Sequence, residues 1–283
     1  MKSPELSVVI ATRNEEANIA ACIQAFEDVR DCVEVIVVDN ASTDRTREIA
    51  TELGATVLGK GPERSAQRNL GWQTAHADWV VVLDADMIPP PELIVEMLSV
   101  ASRSRMDPAA PQAYWIPEVR TGRGLRTKAR NFERSFYDGT AIDALRLFRR
   151  SVLQSTGGYD EGLIAGPEDW DLDIRVLATG VRCAVLTHHL VHNERQLTLA
   201  RMLAKKAYYA KSITTYQAKW PNHPALRKQL GLGYRYFGVF VEYGKWKRLF
   251  AHPILAGVMY VERVLVGLTY LIYRSRSCRN ESS

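Results

Sequence analysis

The sequence predicts an α/β fold, a mostly parallel sheet with helices on both faces followed by a helical extension. Three observations carry that prediction. Apolar strand-like runs recur at residues 6–11, 33–38, 55–58 and 79–83, spaced too widely for hairpins. Helical patterns at 16–29, 44–53 and 64–75 fill the gaps between them. Charge also divides along the chain: residues 1–194 hold 21 Lys+Arg against 29 Asp+Glu, whereas residues 195–283 hold 16 against 3. Strand–helix–strand repetition implies parallel strands with right-handed crossovers. Continuous Val/Ile/Leu runs suit strands covered on both faces. The charge division predicts two regions, a body at 1–195 and a basic, aromatic extension at 196–283, with different tasks.

The first strand runs into Thr12-Arg13-Asn14-Glu15. In the helix that follows, Ile19, Cys22, Ile23 and Phe26 fall at i, i+3, i+4 and i+7, an apolar face for the sheet. The second strand ends in Asp39-Asn40-Ala41-Ser42. The third crossover brings Arg64 and Arg68 onto one helical face. The fourth strand ends in Asp84-Ala85-Asp86 and stops at Pro89, Pro90 and Pro91. In open α/β sheets ligands bind at the carboxyl ends of the strands. A lone aspartate there is an ordinary turn former. Three acidic or amide clusters at one edge, with arginines beside them, point to a ligand, because carboxylates next to a core need partners. Neither a dinucleotide fingerprint nor a P-loop is present. A carboxylate-held divalent cation, Mg2+ or Mn2+, is the remaining device for neutralising phosphates.

Five segments together resemble the glycosyltransferases of family 2, inverting nucleotide-sugar enzymes with the GT-A fold. They are SVVIATRNEE, VIVVDNASTDRT, RSAQRNLG, VVVLDADM and GPEDWDLDIR, spanning about residues 6–192. The resemblance implies a nucleotide-sugar half at about 1–90 and an acceptor half at about 91–195. It places Thr12, Asn14, Glu15, Ser42 and Ala85 around the nucleotide-sugar, with Asp39 on the base (typically uracil) and Arg68 near the base and phosphates. Asp84 of the DxD matches the ribose or sugar contact and Asp86 the metal ligand. Asp169, flanked by Glu168, matches the catalytic base. The residues agree: GPEDWDLDIRVLATG reads as a helix whose N-terminal dipole favours ionised carboxylates, and Trp170 could wall a sugar ring. In LTHHLVHNER, read as a strand, His188, Leu190 and His192 share a face; the resemblance makes His192 a further metal ligand.

Residues 120–134 carry six basic residues and one acidic, which suits an anionic acceptor such as a lipid-linked phosphate. Nucleic acid is a poor partner for the acidic body. Cys22, Cys32, Cys183 and Cys278 form no metal-ligand spacing and read as incidental thiols of a reducing cytoplasm. The N-terminal apolar run is too short for a signal peptide. Residues 197–220 read as a helix with interleaved lysines and aromatics. Residues 254–273 are about long enough to span a bilayer, but Glu262 and Arg263 would each cost about 2.5–3.5 kcal/mol at its centre. An interfacial or re-entrant helix, or one packed on a partner subunit, is expected instead; a soluble helical subdomain is the alternative. The expected whole is a divalent-metal glycosyltransferase of hexosyltransferase type, peripheral on the inner face of the cell membrane and able to form a homo-oligomer. Its expected donor is a UDP-sugar and its acceptor a lipid-linked or cell-envelope glycan. A nucleotidyltransferase and an inactive nucleotide-binding membrane scaffold are the competing readings.

Overall fold

The computed structural model describes residues 3–104, 107, 109–163, 166–193 and 212–265. The four runs form parallel strands β1 (Leu6–Thr12), β2 (Val33–Asp39), β3 (Thr56–Gly59) and β4 (Trp79–Asp84). With β6 (Ala113–Trp115), β8 (Leu145–Arg149) and β9 (Cys183–Val185) they make a seven-stranded sheet ordered β3-β2-β1-β4-β8-β6-β9. β8 runs antiparallel to both of its neighbours. A smaller sheet joins β5 (Met87–Ile88), β10 (Leu190–His192) and β7 (Glu118–Arg120) beside the carboxyl end of β4.

Alternation along each strand divides the core into two layers. Val8, Ile10, Val35, Val37, Val81 and Leu83 pack with Ile19, Cys22, Ile23 and Phe26 on one face. Val9, Ile36, Val38, Val80 and Val82 face Trp72, Leu172 and Val176 on the other. The expected helix over 16–29 is shorter: α1 (Ile19–Gln24) gives way to a 3-10 turn at Glu27–Val29. Its predicted first turn is spent on a loop in which the Glu15 carbonyl accepts from the Asn18 and Ile19 amides. α2 (Thr46–Glu52) and α3 (Arg64–Thr74) lie where expected. α3 rides very close to β1, since a Cβ on Gly71 would stand 2.2 Å from Val9 Cγ1. Pro91 opens α4 (Pro91–Arg103) at its first position, where no amide is needed.

The extension is helical over Ile213–Lys219, Pro224–Leu230 and Trp246–Ala251, and again at 253–265. The expected boundary at 195 and most of the helix expected from 197 lie outside the described residues. The inner face of the extension completes a third core, with Val239, Phe240 and Met259 packed on Phe132 and Phe136. Phe132 belongs to α5 (Leu125–Arg134). Glu262 and Arg263 therefore have structural partners. Glu262 pairs with Arg126 at 2.8 Å, and Arg263 pairs with Glu133 and the Tyr137 hydroxyl. Among the described residues no helix is long and apolar enough to cross a membrane.

Candidate active site

A cleft of about 360 Å³ opens at the carboxyl edge of β1 and β4. Thr12, Glu15, Asp84, Ala85, Asp86 and His192 line it, together with Arg13, Asn40, Pro62 and Arg64. Six of the sequence-predicted site residues are thus brought to one cavity. The Thr12 hydroxyl is buried with no hydrogen-bond partner among the described residues, a costly state unless a ligand supplies one. Its carbonyl is engaged: Gln67 Nε2 donates to it at 2.9 Å and to the Val38 carbonyl at 2.6 Å. Gln67 therefore pins the ends of β1 and β2 together.

Asp39 is the residue expected against a base. It is fully buried, and both of its oxygens serve its own loop. The Ser42 amide and hydroxyl donate to it, and Arg47 approaches at 3.4 Å. Ser42 Oγ in turn accepts from the Asn14 amide at 2.8 Å, and Asn14 Oδ1 accepts from the Thr43 amide at 2.8 Å. Asn14 holds this arrangement at φ 54°, a region that asparagine tolerates better than most residues. Asp39, Ser42 and Asn14 form a stapled rim beside the cleft, and Asn40 supplies the lining.

Asp86 and His192 come together because β10 pairs antiparallel with β5, setting His192 opposite Met87. His192 Nε2 lies 3.1 Å from Asp86 Oδ2. On the other side of the ring, Nδ1 faces Glu118 Oε2 at 3.7 Å. Burial works against a charged imidazole here, but Asp86 and Glu118 prevail and lift it to about 9. A carboxylate and an imidazole nitrogen at contact distance suit a divalent cation, and the carboxylate behind the ring is the usual orienting partner of a ligand histidine. Among the described residues no third Asp, Glu, His or Cys joins them as a metal-holding group. Substrate oxygens and water would have to complete the shell, as is common for phosphate-bound cations. His188 does not share this site; its ring lies 2.9 Å from Glu96.

The base side is built on α3 and α7 (Glu168–Ala178). Arg68, 1% exposed, bridges Asp84 at 3.0 Å and Asp169 at 2.8 Å. Arg64 reaches Asp84 at 3.4 Å and Glu168 at 3.3 Å. Burial alone would raise the Asp84 carboxyl, but Arg68, then Arg64 and Arg146, hold it well below the usual carboxylate range. For Glu168, burial and then the charge of Asp169 push the carboxyl up against the pull of the arginines.

Three of the expected site residues lie apart from the cleft lining. Glu168 is 1% exposed, receives the Gly166 amide and braces Arg64 and Arg68. Trp170 is turned to the extension, 6.4 Å from Tyr216 and capped by Arg235 at 5.8 Å, and does not line the cleft. Arg68 lies beneath the carboxylates, with no exposed surface for a base. Sequence reasoning missed Glu118, Arg146 and Gln67. A charged residue inside the apolar β8 pattern LRLFR was the available signal. Arg146 donates to Glu118 at 2.9 Å, so β8 and β7 carry a buried ion pair directly behind His192.

The comparisons with known proteins bear on the family and the fold. The family model "Glycosyl transferase family 2" matches residues 7–157. The low-salt glycan biosynthesis hexosyltransferase of Haloferax volcanii is 37% identical over 178 residues, covering 57% of this chain and 42% of that protein. The undecaprenyl-phosphate 4-deoxy-4-formamido-L-arabinose transferase of Aeromonas hydrophila is 30% identical over 164 residues, covering 54% and 44%. This chain spans less than half the length of either relative. A mannosyltransferase from Pyrobaculum calidifontis, solved with GDP-Man and Mn2+, superposes over 100% of this chain and 82% of its own at TM-score 0.61 and 18% identity. Staphylococcus aureus TarS 1-349 with UDP-GlcNAc covers 89% and 79% at TM-score 0.58 and 18% identity. The fold is that of the GT-A glycosyltransferases, and the chain belongs to glycosyltransferase family 2.

Proposed function

We propose that the chain transfers a hexose from a nucleotide-sugar to a hydroxyl of a lipid-linked or cell-envelope glycan, with inversion at the anomeric carbon. One observation carries this reading: Asp86 with His192, and Asp84 with Arg68 and Asp169, meet at one strand edge beside a buried, unpartnered Thr12 hydroxyl. The nucleotide would lie along Thr12 and Glu15, its base against the rim that Asp39 staples. Arg64 meets the diphosphate, as the cleft cation nearest Asp84. Asp169 accepts the proton of the acceptor hydroxyl. That oxygen forms its bond to the anomeric carbon as the bond to the departing diphosphate breaks, on the opposite face. A general base of this kind contributes about 10²–10⁴-fold. Asp86 and His192 are the residues that would hold Mg2+ or Mn2+, whose chemistry is to neutralise charge on the leaving phosphate. Arg68 keeps the base and the DxD in fixed register.

UDP is the donor nucleotide in this reading. The UDP-GlcNAc held by TarS supports it, and the GDP-Man held by the mannosyltransferase is its rival. The Aeromonas relative, named for undecaprenyl phosphate, supports a lipid-linked acceptor, as does the basic segment 120–134. We place the boundary between the catalytic body and the extension near 195. The direct test is thermal stabilisation and hydrolysis across a panel of UDP- and GDP-sugars with and without Mn2+. Metal-dependent stabilisation by one sugar nucleotide is expected, abolished in Asp86→Ala and weakened about 10–100-fold in His192→Ala. A panel in which no sugar nucleotide stabilises the protein would overturn the reading.

A further inference from the structure

The outer face of the extension carries a feature that the transfer chemistry does not use. Along the helix at 253–265, Ile254, Val261 and Val264 are 71%, 60% and 52% exposed, and with Gly257 they follow a spacing of three, seven and ten residues. That is one apolar stripe turned away from the protein. The opposite stripe, through Met259 and Arg263, is the one packed on Phe240 and Tyr137. On the preceding helix, Phe250, 78% exposed, and Trp246, 46% exposed, set their rings edge to face at 5.9 Å.

Three cations, Lys245, Lys247 and Arg248, flank Trp246 in the chain. Lys247 lies against the Trp246 ring, while Lys245 and Arg248 are fastened to the Phe136 and Ser135 carbonyls and so are held in place. Over 212–265 the chain has eight Lys+Arg and two Asp+Glu. Both acids are engaged, Glu242 with Lys228 and the Tyr234 hydroxyl, Glu262 with Arg126. Within 212–265 both carboxylates therefore have partners of their own. A second copy of the chain is a poor occupant, because a two-fold interface would set these cations against their own image. An apolar stripe with Trp, Phe, Lys and Arg on the preceding helix matches a bilayer of anionic lipid, with acyl chains for the stripe and headgroups for the cations.

We propose that this surface, Trp246, Phe250, Ile254, Val261 and Val264 with Lys247, seats the protein on an anionic lipid surface. The proposal stands independently of the transfer reaction. The test is co-sedimentation of the full chain with phosphatidylcholine vesicles, with and without about 30% phosphatidylglycerol, at low and high salt. Binding to the anionic vesicles is expected, weakened several-fold by salt or by omission of phosphatidylglycerol. Phe250→Asp with Ile254→Asp should reduce it at least tenfold, and the single exposed Lys247→Glu should reduce it several-fold. Both variants should keep wild-type unfolding midpoints, which shows that they fold. Failure of the wild type to sediment with either vesicle, or variants that bind as well as wild type, would overturn the proposal. So would a dimer, seen by sedimentation velocity, that the variants dissolve while lipid capture stays absent; that result would assign the face to a contact between copies.

Discussion

The carboxyl edge of the sheet and the C-terminal extension both concentrate charge, and they do so in opposite ways. At the edge the excess is acidic and largely enclosed, with Arg64 and Arg68 shared among Asp84, Glu168 and Asp169. In the extension the excess is basic, and its few acids are consumed by the chain's own cations while apolar side chains stay in solvent. The first arrangement holds carboxylates in position for a cationic or phosphorylated ligand. The second leaves a surface whose complement lies outside the protein. Which charges have internal partners separates the two roles better than the density of charge does.

The sharpest way to break the comparison is at the edge. Asp169→Asn keeps the shape and the contact with Arg68 but removes the proton acceptor, so turnover is expected to fall about 10³-fold, within the range for a positioned base. Donor affinity, measured by calorimetry with a sugar nucleotide and Mn2+, should change by less than about threefold, a difference under 1 kcal/mol. An Asn variant that turns over at the wild-type rate would show that the carboxylates at this edge are structural, like those in the extension.

The next effect is on stability. Arg68→Met leaves Asp84, Asp169 and Glu168 short of a buried counter-charge, and breaking such a network costs about 3–5 kcal/mol. Urea denaturation should show the loss. Arg68→Lys should recover only part of it, since an ammonium lacks the fork that spans two carboxylates. If Arg68→Met instead unfolds like wild type but loses donor affinity, Arg68 meets the nucleotide, as the family resemblance implies, and its contacts with Asp84 and Asp169 are secondary.

Much of the edge was legible in the sequence. Continuous apolar runs and helical patterns located β1, β2, β4, α3 and α7 to within a residue or two, and strand ends in a parallel sheet expose whatever follows the apolar run. Thr12, Asp84 and Asp86 follow such runs, whereas His192 was singled out by the family resemblance; all four line the cleft. The burial of Asp39 and Glu168 and the direction of Trp170 were not legible, because they depend on neighbours distant in sequence. Glu118 and Arg146 lie on short strands whose pairing is non-local; the charge inside LRLFR marks Arg146, but its partner on β7 lies 28 residues away. In the extension, Glu262 and Arg263 looked like interruptions of an apolar helix. Their purpose is set by α5, more than a hundred residues earlier.

The smallest expected effect tests the extension from its two faces. Phe240 is fully buried, edge to face with Phe136 at 5.1 Å, and Phe240→Ala should lose about 3–5 kcal/mol of unfolding free energy. Phe250 is 78% exposed on the same extension, so Phe250→Ser in lipid-free buffer should lie within about 0.5 kcal/mol of wild type, as surface substitutions do. Equal losses at the two positions would mean that Phe250 is covered in solution by protein, and the apolar stripe would then belong to a core. A loss at Phe240 alone keeps the outer face free of internal partners, which is the condition an external surface needs in order to compete for it.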